Sequence, residues 1–119
     1  MADKAKSFRD LKIWQKAIEL VKSIYASTRR FPREEVYGLS AQMRRAAVSI
    51  ASNVAEGFRR KHNNEYRQFL YIALGSCAEL ETQVTIAKEL GYISQKQEYE
   101  EVEQIDHICG MTMSLIKKL

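Results

Sequence analysis

Two basic clusters, Arg44 with Arg45 and Arg59 with Arg60 and Lys61, bracket the run AAVSIASNVAEGF, in which Glu56 is the only charge. Guanidinium groups are planar forks that pair with phosphate or carboxylate, and alanine and serine let a neighbouring backbone come close. On a helical wheel Arg45, Ser49, Ser52, Glu56 and Arg59 share one stripe, opposite a core face of Met43, Ala47, Ile50 and Val54. Arg44 lies on the flank beside Val48, Ala51 and Ala55. Two chemistries fit this pattern. One is phosphate contact from the basic ends of a slim helix packed against a neighbour. The other is an Arg–Glu network within or between subunits, joining Arg45 or Arg59 to Glu56 or Glu35. Arg59, Arg60 and Lys61, at a helix end and turn with few acids nearby, suit phosphate better. Arg44 and Arg45 are expected to be engaged by Glu56 or Glu35 within the assembly.

Little else in the chain points to reactivity. A di-iron site in a helical bundle needs an inward Glu-x-x-His on each of two helices. Here His107 follows Glu103 by four residues, and the other histidine, His62, falls at a turn. There is no glycine-rich phosphate loop and no nucleophile elbow. The expectation is therefore no catalytic residue, no metal, no cofactor and no small-molecule substrate. Cys77 and Cys109 are far apart in sequence and without metal-type spacing, so they read as small buried hydrophobes. The acidic series Glu98, Glu100, Glu101, Glu103 and Asp106 reads as a solvated face or a docking surface for a basic partner.

These residues must be positioned by helices. With one proline and five glycines in 119 residues, few positions can break a helix. Period and punctuation predict four, over about 10–30, 39–60, 64–90 and 95–118, within a single 1–119 domain. Arg29, Arg30 and Pro32 end the first; Ser40 is the expected N-cap of the second, after an irregular or single-turn PREEVYG; Asn63 or Asn64 caps the third. Tyr66, Leu70, Ala73, Cys77, Leu80, Val84 and Ala87 keep a regular apolar step up to Gly91, whose freedom to turn left-handed stops the third helix. Ser94 and Gln97 have capping-box spacing for the fourth. Short connections predict an all-α, antiparallel, up-down-up-down four-helix bundle. No window resembles a membrane span, and the start MADKAKSFRD lacks the apolar core of a signal peptide, so a cytoplasmic protein is expected.

The formal charge of +4 conceals a division. Residues 1–61 carry 14 Lys or Arg against 6 Asp or Glu, and residues 62–119 carry 5 against 9. The basic half suggests a surface that attracts phosphate. The first helix adds a second feature. Leu11, Ile13, Trp14, Ala17, Ile18, Leu20, Val21, Ile24 and Tyr25 cover an arc wider than one core-facing stripe. With Leu11, Trp14, Ile18, Val21, Tyr25 and Thr28 taken as the core face, Ile13, Ala17, Leu20 and Ile24 form a spare seam. Together with Arg45, Ser49, Asn53 and Glu56 they are the expected oligomer interface.

The segments FRDLKIWQKAIELV, FPREEVYGLSAQMRRAAVSIASNVAEG and FLYIALGSCAELETQVTIAKELGYI, in this order, resemble the bacterial proteins encoded in intervening sequences of 23S ribosomal RNA genes. The resemblance runs from Phe8 to about Ile116. It implies a four-helix bundle that assembles as a homopentamer, and it marks Arg44, Arg45, Ser49, Asn53, Glu56 and Gly57 as typical positions. More distantly the chain is similar to the accessory variability determinant of diversity-generating retroelements, a basic pentameric barrel that associates with a reverse transcriptase and with nucleic acid. The functional expectation is a non-catalytic homo-oligomer that binds structured RNA through phosphates. The alternative is a docking scaffold whose ring presents repeated surfaces to a partner protein such as a reverse transcriptase.

Overall fold

The computed structural model describes residues 5–119, so the first four residues of the expected domain lie outside it. All regular structure among the described residues is helical. Helix α1 spans Lys12–Thr28, α2 Leu39–Phe58, α3 Asn63–Glu89 and α4 Gln95–Lys118, with single 3-10 turns at Phe8–Asp10 and Arg33–Glu35. The bounds lie within two residues of the expected ones, the scale on which helix ends fray.

Local chemistry accounts for most of the ends. Ser94 and Gln97 form the expected capping box at the start of α4, and Gly91, at φ 82°, takes the left-handed turn after α3. A second capping box, unforeseen, joins Ser7 to Asp10 and folds the turn before α1. Two expected caps are corrected. Ser40 is buried inside α2, and the N-terminal amide of that helix is met from the preceding turn: the Leu39 N–H donates to Glu35 Oε1 at 2.9 Å. A carboxylate in this place also suits the positive end of the helix dipole. Neither Asn63 nor Asn64 caps α3. Asn63 Nδ2 donates to the carbonyl of Leu119 at 3.3 Å, and Asn64 accepts from Arg67.

Each helix packs on two neighbours, α2 on α1 and α3, α4 on α3 and α1, and the diagonal pairs make no close backbone contact. The α2–α3 contact is the most extensive and the α1–α4 contact the thinnest. The slim middle of α2 explains the first. The Ser49 and Ser76 hydroxyls bond at 2.9 Å, and Asn53 Nδ2 donates to the Ser49 carbonyl and hydroxyl at 2.9 and 3.0 Å. Farther along, a Cβ on Gly57 would stand 2.9 Å from Phe69 Cβ and 3.2 Å from the Tyr66 carbonyl oxygen. Only a glycine fits there. Ser49, expected at an oligomer interface, is bonded across this intramolecular seam, and Asn53 is tied to it from the same helix.

The α3 step from Leu70 to Ala87 is buried as expected, with Tyr66 half-buried at its start. The reading of α1 is reversed. Ile13, Ala17, Leu20 and Ile24 are the core residues, all 4% exposed or less, while Trp14, Ile18, Val21 and Tyr25 are half-buried on the flank. A helical wheel fixes the width of an apolar arc but not which edge turns inward. Branched aliphatics and Ala17 fit the closed interior; Trp14 and Tyr25, large and with polar tips, fit where one edge reaches water. The spare seam of α1 is therefore the subunit's own core. Each fully buried Leu or Ile contributes about 1.5–3 kcal/mol.

One buried polar group sits in the thin α1–α4 contact. Glu101 is 5% exposed; its Oε2 accepts from the Ser27 hydroxyl and its Oε1 has no partner among the described residues. Burial raises its pKa above the ordinary 4.5, the Ser27 bond opposing and nearby Glu100 adding. A carboxyl whose pKa is raised by folding contributes stability that is full below its unfolded value and is lost as pH rises through its folded value. Glu101→Gln keeps the acceptor for Ser27 and cannot ionise. Its unfolding midpoint in urea should match wild type near about pH 4 and exceed it by about pH 8. A constant difference across that range would show that Glu101 does not titrate in the folded chain.

Candidate nucleic-acid interface

The capping box of Ser7 and Asp10 holds Phe8 and Arg9 at the entrance to α1. There the Phe8 and Trp14 rings meet at 5.3 Å with a 56° tilt. The Arg9 guanidinium lies over both, 5.6 Å from the Phe8 centroid and 5.5 Å from that of Trp14. From the end of α2, Arg59 reaches the same Phe8 ring at 5.5 Å, while Arg60 turns the other way and lies 4.6 Å above Phe69 of α3. Behind them Phe58 and Tyr66 pack edge to face at 6.2 Å. Lys61 is exposed in the connection that follows. The end of α4 arrives here too. Asn63 binds the Leu119 carbonyl, and Lys118 lines a shallow cleft with Leu11 and Lys12.

The structure thus brings Arg59, Arg60 and Lys61 into one region and adds Arg9 and Lys118. Ion pairs among the described residues are Lys16–Glu19 at 3.9 Å and Lys88–Glu89 at 3.2 Å, so neither involves these cations. Glu56 is exposed and lines a cleft with Phe8, Ala55, Arg59 and Arg60 without reaching ion-pair distance of either arginine. Arg9 was missed in the sequence; the Ser-x-x-Asp spacing ahead of the first apolar run was the signal that its turn is ordered.

The other cluster behaves differently. Arg44 and Arg59, the C-cap of α2, are fifteen positions apart, about 22 Å along the helix. Arg44 is half-buried: its Nε donates to Thr28 Oγ1 at 2.8 Å, and its guanidinium lies 4.4 Å over the Tyr25 ring. Within the subunit no described arginine pairs with Glu35 or Glu56 at ion-pair distance, and Glu35 is engaged elsewhere. Besides capping Leu39 it accepts from the Tyr92 hydroxyl at 2.8 Å. The Leu39 amide, then Tyr92, hold its pKa below the usual carboxylate range, and the same bond raises that of Tyr92. Arg45 is exposed.

Opposite in sign is the cleft between α1 and α4, lined by Glu19, Glu100, Glu103 and Asp106 with Lys16 and His107. No group of three or more His, Cys, Asp or Glu among the described residues is placed to hold a metal ion. Cys77 is buried and Cys109 half-buried, and the fold sets them side by side despite their separation in sequence. Burial raises both thiol pKa values, so neither is primed as a nucleophile. No described helix is long and apolar enough to cross a membrane.

The profile of a family described as 23S rRNA-intervening sequence protein matches residues 9–114. Among solved structures, the chain is similar to a crystal structure from Bacteroides thetaiotaomicron, described as a protein of unknown function from the S23 ribosomal protein family. The TM-score is 0.82 at 22% identity, over 88% of this chain and 98% of that one, a likeness of fold. No curated protein matches the sequence.

The contrast between Arg44 and Arg45 is measurable. Arg44→Ala removes a stacked cation and a hydrogen bond and should cost about 1–2 kcal/mol in urea unfolding, whereas Arg45→Ala should stay within about 0.5 kcal/mol of wild type. Equal effects would mean that the contacts of Arg44 with Thr28 and Tyr25 do not stabilise the fold.

Proposed function

The chain belongs to the 23S rRNA-intervening sequence protein family, and from that premise we propose that it is a non-catalytic RNA-binding protein of the cytoplasm that holds RNA through phosphate contacts. The observation that carries this reading is the gathering of Arg9, Arg59, Arg60, Lys61 and Lys118 at one end of the bundle, exposed and outside any ion pair among the described residues. Sequence-independent charge of this kind suits the phosphate backbone, which dominates affinity for nucleic acid. The helices run up-down-up-down in this account. Support comes from the bond between the start of α3 and the end of α4, and from the four-residue connection between α2 and α3.

The protein acts as a ring-like homo-oligomer, a pentamer by the resemblance of its sequence. With the α1 seam consumed by the core, self-association moves to the outer face of α3. Tyr71, Ile72, Ile86 and Leu90 are 42–58% exposed there, the kind of surface that marks association. A ring repeats the basic end and multiplies a weak charge pattern. A second reading, docking of a basic partner protein such as a reverse transcriptase, is favoured by the acidic α1–α4 cleft of about 640 Å³.

Gel-shift titrations against a structured RNA at two salt concentrations test the function. Binding should weaken steeply as salt rises, because each neutralised phosphate releases counterions. Arg59→Glu with Arg60→Glu should reduce both the affinity and the salt slope, at unchanged mass by light scattering. That mass should be a multiple of the 13.8 kDa chain. Absence of binding at about 50 mM salt contradicts the phosphate reading, and a monomer contradicts the ring.

A further inference from the structure

We propose that the arginine and aromatic cluster at this basic end is a stacking site for unpaired nucleobases, so that the nucleic acid taken is single-stranded; this rests on the phosphate reading above and narrows it.

Phosphate contact alone requires only positive charge, and dispersed lysines would supply it. The three arginines here are instead laid on rings: Arg9 over Phe8 and Trp14, Arg59 over Phe8, Arg60 over Phe69. An exposed guanidinium within cation–π range of a ring, here 4.6–5.6 Å from the centroid, keeps a planar face and its N–H edges available. It can stack on a base and reach a phosphate at once. All three arginines are exposed, and Phe8, Trp14 and Phe69 are half-buried, so ring edges and guanidinium planes both meet solvent. The platforms lie on two sides of the end of α2, Phe8 with Trp14 toward α1 and Phe69 on α3. A flexible strand can splay successive bases onto both, as proteins that bind single strands through aromatic platforms in a charged groove require. A duplex keeps its base faces inside its own stack, so it has only phosphates to offer this surface.

Trp14 is the single tryptophan of the chain, so its fluorescence reports on the site directly. The full-length protein is titrated with an oligoadenylate of about twelve nucleotides, within the range such sites occupy, with a duplex of equal phosphate number, and with inorganic polyphosphate. The oligoadenylate should quench Trp14 and bind about tenfold or more tightly than the duplex, while polyphosphate competes without quenching. Phe8→Leu keeps the apolar bulk and removes the ring; it should erase most of the preference for the single strand. Arg9→Lys keeps the charge and loses the plane. It should leave the salt slope intact while lowering the same preference. Equal binding of all three ligands without quenching overturns the stacking site and leaves the phosphate reading standing. Unchanged preference in Phe8→Leu also overturns it. If none of the ligands binds, the phosphate reading falls and the stacking site with it.

Discussion

The approach of α2 to α3 is the constraint on which the molecule depends. Two helices come this close only where side chains are small, as at Ser49 against Ser76 and at Gly57 against Tyr66 and Phe69. Asn53 donates to the Ser49 hydroxyl, which also shares a hydrogen bond with the Ser76 hydroxyl, so these polar atoms of the seam satisfy one another. The seam also sets where α2 ends. Gly57 lies against Tyr66 and Phe69, and the next residues are Phe58, Arg59 and Arg60, so the helix contact that excludes a Cβ also fixes which rings the arginines meet.

Around this seam the charge of the chain becomes spatial. Helices α1 and α2, from the basic half, pack together, as do α3 and α4 from the acidic half. The α1–α4 contact is where the halves meet a second time. It is the thinnest contact, it holds a Glu101 oxygen with no partner among the described residues, and its surface is an acidic cleft. Burial of a carboxyl with one partner costs stability at neutral pH, and an acidic lining compounds the cost by repulsion. The basic end escapes this because its cations are exposed and its three arginines lie over aromatic rings. The C-terminal lysines of α4 also sit at the negative pole of their helix.

Much of the fold was legible in the chain because helices announce themselves by period and by their stops. The α3 step, the Ser94 capping box and the Gly91 turn are local patterns, and each appears where it was expected. What depended on packing was not legible. The α1 arc had two apolar edges and no local rule to rank them, so Ile13, Ala17, Leu20 and Ile24 were assigned outward when they form the core. The slim stretch of α2 signalled a close neighbour, but its partner is α3 of the same chain. Of the candidate site, Arg59, Arg60 and Lys61 stood out by exposure at a helix end. Phe8, Arg9 and Trp14 meet through one local capped turn, but their meeting with Arg59, and that of Arg60 with Phe69, came only through tertiary contact. Arg44 shows the converse: a charge pattern suggested a carboxylate partner, and the fold supplied a hydroxyl and a ring.

The most direct measurement of the tight seam is the paired urea unfolding of Gly57→Ala and Gly75→Ala. Both glycines lie within helices, where alanine is intrinsically favoured by about 1 kcal/mol. An added Cβ at Gly75 meets nothing within 4 Å, whereas at Gly57 it meets Phe69 Cβ and Tyr66 at 2.9 Å. The two substitutions should therefore have opposite signs. Gly75→Ala should stabilise by about 0.5–1 kcal/mol, and Gly57→Ala should destabilise by about 1–3 kcal/mol as α2 and α3 are forced apart. Stabilisation by both would contradict the account, since it would mean that α2 and α3 have room to spare.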